Sequence, residues 1–177
     1  MTIPLVLTLI GDDRPGLVNA VSETVAAHGG AWLESRLAHL AGKFAGILLI
    51  EAPEAEIDAL AAALRRLEAA GLKVSAERGA RELAPERARL LSLTVVGNDR
   101  PGIVRDLTQA LIRLGVNIEE FSSGLEKAAF TGADMFRATA EVRLPDGLSS
   151  DELRKTLERL AGEIMVDVAF SDSGARA

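Results

Sequence analysis

Apolar and polar positions alternate along this chain in a pattern that occurs twice. Leu5 to Ile10 is a nearly continuous β-prone run, as expected of a buried strand. A polar turn follows, Asp12-Asp13-Arg14-Pro15-Gly16, and then Leu17, Val18, Val21 and Val25 recur at helical spacing to about Ala27. Asp13 is the expected N-cap, and Pro15 fits a first helical turn, where its missing N–H costs nothing. Gly29-Gly30 stops the helix. Trp32 to Leu40 and Phe44 to Glu51 read as a hairpin around a tight Ala41-Gly42 turn. Ile57, Leu60, Ala61, Leu64 and Leu67 form a second helical stripe, Gly71 ends it, and Leu72 to Glu77 is a short last strand.

The order βαββαβ then recurs. Its members are a strand at Leu91 to Val96, a helix at about Pro101 to Leu114, and strands at Asn117 to about Leu125 and Met135 to Leu144. A helix opened by Ser149 and Glu152 at capping-box spacing and a strand at Ile164 to Phe170 complete it. The segment Glu126 to Asp134 reads as a longer hairpin loop. The recurrence is also written in residue identity. Residues 5–18 read LVLTLIGDDRPGLV and residues 91–104 read LSLTVVGNDRPGIV, offset by 86, with nine of fourteen positions identical. The chain is a tandem duplication. The fold class expected is α+β: two ferredoxin-like βαββαβ units, each an antiparallel sheet with helices on one face. The boundaries expected are residues 1–79 for unit one, 80–89 for a charged linker and 90–172 for unit two, with a frayed tail from Asp172.

Composition narrows what such units do. Among 177 residues the net charge is −6, divided as 8 basic against 12 acidic residues in 1–86 and 12 against 14 in 87–177. Neither half is a basic module, which argues against direct nucleic-acid binding and against docking on an anionic membrane. No apolar run reaches the length of a membrane span, and no basic leader precedes the first strand, so a cytoplasmic protein is expected. Cysteine is absent, which removes disulfides, thiolate catalysis and Cys-ligated metal. His28 and His39 are the only imidazoles and sit on different elements, so no metal site and no cofactor is expected. Ser35 and Ser122-Ser123 have no evident basic partner, and no catalytic constellation stands out. Aromatics are 3% of the chain, so the cores must be aliphatic, and Trp32 is expected to pack. Arg65-Arg66 and Arg154-Lys155 read as solvated helix faces.

The two strand-to-helix turns are the candidate chemistry. Amides at a helix N-terminus and the helix dipole favour an anion such as a carboxylate. The glycines allow close approach, and Asp12, Asp13, Asn98 or Asp99 can accept from an amine. A carboxylate donor set beside an amine acceptor suits a free amino acid. The same residues also serve as cap, helix starter and turn.

The strand–G-x-D-R-P-G-[LI]-V–helix opening, the G-[GV]-[AN]-[WI] entry into the second strand and the βαββαβ order resemble the ACT domain family over nearly the whole chain. Within it, GDDRPGLVNAVSETVAAHGG and LESRLAHLAGKFAGILLIE are similar to a branch of two-module transcriptional repressors. The resemblance implies regulation by a small amino acid. The contacts it implies are Gly11, Asp12, Asp13, Pro15, Gly16, Leu17 and Val18 in unit one, and Asn98, Asp99, Pro101, Gly102, Ile103 and Val104 in unit two. It also implies a protein partner, a transcription regulator of amino-acid or one-carbon metabolism, reached by protein contact and not through DNA. A regulatory subunit of a metabolic enzyme and a ligand-independent interaction scaffold are the rival readings. Unit two lacks the SRLAHL-like second strand, so the two units need not both bind ligand. Aliphatic helix faces and sheet edges leave room for a homodimer.

Overall fold

The computed structural model describes residues 1–79, 89–128, 132–164 and 166–172. The chain separates into two compact units, Met1–Leu83 and Ala84–Ala177. The first contains β1 (Thr2–Asp12), α1 (Leu17–Ala27), β2 (Ala31–Leu40), β3 (Lys43–Pro53), α2 (Ile57–Arg66) and β4 (Leu72–Arg78). The second contains β5 (Arg89–Asn98), α3 (Ile103–Arg113), β6 (Asn117–Lys127), β7 (Asp134–Leu144), α4 (Ser150–Ile164) and β8 (Val166–Asp172). Each unit forms one antiparallel four-stranded sheet, ordered β2-β3-β1-β4 and β6-β7-β5-β8. The duplication is therefore structural, and both units are ferredoxin-like. Of the expected 80–89 linker, residues 80–88 lie outside the described residues and Arg89 stands in β5; most of the expected frayed tail is also undescribed.

The alternation along the strands sets the cores. Leu5, Leu7 and Leu9 of β1 face Leu48, Ile50 and Ala52 of β3, and α1 and α2 lay Leu17, Val21, Val25, Ile57, Leu60 and Leu64 over them. The second core repeats this with Leu91, Leu93 and Val95 beneath Ile103, Leu107, Leu111, Leu153 and Leu157. Both are aliphatic apart from Phe136, and Trp32 packs half-buried at the rim of the first. Ser149 Oγ accepts from the Glu152 amide at 3.1 Å, the bond the capping-box spacing requires. Ala41 and Gly42 both have positive φ, 50° and 77°, the signature of a type I′ hairpin turn.

Several local expectations are corrected. Asp13 does not cap α1: the N-cap is Gly16, at φ 94° and ψ −3°, and α1 begins at Leu17. Pro15 therefore precedes the helix, and Gly16 has the dihedrals of the third residue of a type II turn, where glycine is favoured. Gly102 repeats this at φ 93° and ψ 0°, so α3 begins at Ile103 and not at Pro101. In the second hairpin, Glu126, Lys127 and Asp134 pair in the ladder, which shortens the expected loop from both ends; residues 129–131 lie outside the described residues. Ile164 belongs to α4 and not to the last strand. Arg154 is exposed on its helix, as expected, and its guanidinium stands 4.6 Å from the Phe170 ring centroid.

Candidate functional site

In unit one, β1 ends at Asp12 opposite Lys43, the first residue of β3. The tip of the β2–β3 hairpin thus lies against the turn. Lys43 Nζ pairs with the Asp12 carboxylate, and that hydrogen bond and charge hold the Asp12 carboxyl below its usual range. The Asp13 amide donates to Gly42 O at 3.0 Å. The Asp13 carboxylate lies 3.8 Å from His39 Nε2, beyond hydrogen-bond length. Arg14 reaches across the sheet end and donates to Ala70 O. Asp12 is thereby committed to Lys43, whereas Asp13 keeps an exposed carboxylate at the mouth of the turn.

The remaining expected contacts divide by burial. Leu17 is 4% exposed and belongs to the core, so only its backbone could meet a ligand, while Val18 is 42% exposed. Gly11 is buried, and a Cβ there would stand 2.4 Å from Gly71 O. Its lack of a side chain lets β1 and β4 close, which is a packing role. Gly16 differs: a Cβ there would meet nothing within 4 Å, and α1 has no acidic residue in its first turn. The N-terminus of α1 is open and carries no carboxylate of its own. A cleft of about 350 Å³ borders the other side of the turn, lined by Ile10, Gly11, Asp12, Lys43, Glu68, Gly71 and Lys73.

Unit two repeats the backbone but not the opening. The Asp99 amide donates to Asp134 O at 3.1 Å, as Asp13 does to Gly42. Ile103 is 2% exposed and Val104 40%, matching Leu17 and Val18. Asn98, Asp99 and Pro101 are exposed on the turn. Here, however, Asp106 sits in the first turn of α3 and binds two guanidinium groups, Arg100 at 2.9 Å and Arg105 at 2.8 Å. Hydrogen bonds from Arg100 and then Arg105 hold the Asp106 carboxyl below its usual range. The Arg105 guanidinium covers Gly102. The counterparts of Arg105 and Asp106 in unit one are Asn19 and Ala20; Asn19 bonds along its own helix to Glu23.

The sequence reading missed Lys43, His39, Arg105 and Asp106. A signal for the first existed, because antiparallel pairing of the first and third strands must bring the start of one beside the end of the other. The Arg105–Asp106 difference is visible as a break in the repeat just beyond the matched fourteen residues.

Two antiparallel βαββαβ units each present a glycine-capped helix N-terminus at the end of the first strand. The chain belongs to the ACT domain family, whose profile matches residues 4–77 and 89–171. It is similar to an unknown protein from Galdieria sulphuraria, at 30% identity and TM-score 0.85, covering 97% of this chain and 99% of that one. It shares its fold with a structure described as a glycine cleavage system transcriptional repressor, at 22% identity and TM-score 0.73, covering 97% of each chain. It is also 28% identical over 181 residues to the phosphoserine phosphatase SerB2 of Mycobacterium tuberculosis (strain ATCC 25618 / H37Rv), covering 97% of this chain. The chain spans 41% of the length of that relative. Among the described residues no helix is long and apolar enough to cross a membrane, and no three His, Asp or Glu side chains gather to hold a metal ion.

Proposed function

We propose that this chain senses a small amino acid at the unit-one turn and transmits its occupancy to a protein partner, a transcription regulator of amino-acid or one-carbon metabolism. The observation that carries the reading is the contrast between the two turns. The first is open at Gly16 and lacks an acidic residue in the first turn of its helix, whereas in the second the Arg105 guanidinium lies over Gly102 and Asp106 stands in the first turn of the helix. An amino acid's carboxylate would receive the first amides of α1, which have no partner inside the helix. Its ammonium would find Asp13 at the mouth. The second unit then serves as structure. The transcriptional branch of the reading is supported by the shared two-module layout with the glycine cleavage repressor structure. Calorimetry of the chain against the twenty amino acids tests it: saturable binding of one ligand per chain is expected, and no heat at millimolar ligand contradicts it.

A second reading has its own support. The match to SerB2 covers nearly all of this chain but under half of that enzyme. On that reading the paired modules regulate an enzyme. Capture of partners with and without the bound amino acid distinguishes a transcription regulator from an enzyme.

A further inference from the structure

The end of β2 brings an imidazole to the mouth of the unit-one turn. Leu37 packs against the helix-covered core, so His39, two residues further on, projects from the same face of the strand. Its ladder partner is Phe44, which also pairs with Gly11 of β1. There His39 Nε2 stands 3.8 Å from the Asp13 carboxylate. In unit two the residue that pairs with Phe136, itself opposite Gly97, is Leu125. Leu125 is 59% exposed, and the second unit contains no histidine. The imidazole at the mouth thus belongs to the open turn and not to the repeated fold.

Asp13 is the charge that faces this ring. On β2 itself, Arg36 projects from the opposite face and pairs with Glu34 at 2.7 Å. On β3, Lys43 is engaged by Asp12. In the turn, Arg14 reaches away to Ala70 O. On α1, Glu23 accepts from Asn19 at 2.9 Å. We infer that His39 is a proton-operated competitor for Asp13, so that amino-acid binding at the unit-one turn weakens as the pH falls. The inference rests on the reading of that turn as the amino-acid seat. A neutral imidazole leaves the Asp13 carboxylate to the ligand's ammonium. An imidazolium pairs with that carboxylate and repels a second cation at the same mouth. The His39 and Asp13 side chains are 57% and 47% exposed, so rotation about their own bonds can close the gap between them. Histidine is the side chain whose charge ordinarily changes between about pH 5 and 8, whereas carboxylates stay ionised there. A free amino acid keeps both of its charges over the same range. By reciprocity, an ammonium bound at Asp13 expels the proton from His39. Exposed ion pairs are weak, which sets the effect at about twofold to fivefold in affinity.

Calorimetric titration of the full chain with each of the twenty amino acids, at about pH 7.5 and about pH 5.5, tests this. Binding seen at the higher pH should weaken about twofold to fivefold at the lower one. Between the two it should release protons, read from the heats in buffers of different ionisation enthalpy. His39→Leu, which copies the second unit, should bring the ratio of the two affinities to about one. His28→Gln, at the far end of α1, should leave that ratio as it is in the parent chain. If His39→Leu fails to fold, His39→Gln makes the same measurement. Equal affinity at both pH values, or a ratio that survives removal of His39, would overturn the proposal and leave the seat standing. Silence toward all twenty amino acids at both pH values would instead remove the seat, and the competition with it.

Discussion

The guanidinium of Arg105 lies over Gly102, so that a Cβ on Gly102 would stand 3.2 Å from Nη2, while the same atom on Gly16 would meet nothing within 4 Å. The backbone at these two glycines is nearly superimposable in its dihedrals, φ 93° against φ 94°. The turns therefore differ in what covers them and not in how they are folded.

Both glycines hold a left-handed conformation that costs an L-residue about 1–2 kcal/mol. Gly16→Ala should lower the unfolding free energy by about that amount, and Gly102→Ala by more, since Arg105 must also shift. Urea denaturation of the two variants checks the order. Gly16→Val should abolish amino-acid binding in a folded chain, and a folded variant with wild-type affinity would refute the assignment of the site.

Exchanging Arg105 and Asp106 for their unit-one counterparts, Arg105→Asn with Asp106→Ala, removes the cover and the resident anion together. The second helix N-terminus then resembles the first. Calorimetric stoichiometry should rise from one amino acid per chain to two. A ratio that stays at one shows that more than this cover closes unit two.

Asp106, Asp12 and Glu119 all have carboxyl pKa values held down, by hydrogen bonds from Arg100, Lys43 and Arg143 respectively. A folded-state pKa below the unfolded value means that the stabilisation is complete above the unfolded pKa and is lost as pH falls through the folded one. Stability should thus be flat near neutrality and decline below the ordinary carboxylate range of about 4. Asp106→Asn should flatten part of that decline, measured by thermal denaturation between neutral and strongly acidic pH. An unchanged slope would show that Asp106 ionises alike in both states.

Gly11→Ala forces a methyl against Gly71 O at 2.4 Å. Overpacking of this kind costs about 1–3 kcal/mol, and the loss should appear in unfolding by denaturant. Ligand affinity of the molecules that remain folded should change little, because Gly11 holds β1 to β4 and does not open the turn.

Much of this fold was legible because each level of the sequence agreed with the next. The β-prone run at Leu5 to Ile10 and the helical stripe at Ile57, Leu60 and Leu64 supply residues that fill the first core. Where the reading slipped, two local signals competed. Asp13 and Pro15 look like a cap and a first helical turn, but glycine two residues before Val18 permits a left-handed turn that delays the helix. The site was only half visible for a different reason. Lys43 and His39 come to Asp12 and Asp13 through sheet pairing, a contact between residues more than twenty positions apart that spacing alone does not reveal. The cover on Gly102 depends on Arg105 reaching backward over its own turn, a direction set by the rotamer and not by the sequence pattern.

The central claim is that one turn of two is a ligand seat. Its most direct measurement is titration of the full chain with each of the twenty amino acids by calorimetry, repeated on Gly16→Val and Gly102→Val. The account predicts saturable binding of at least one amino acid at one site per chain, lost in Gly16→Val and kept in Gly102→Val. Absence of binding at millimolar concentration, or binding lost only in Gly102→Val, would contradict it.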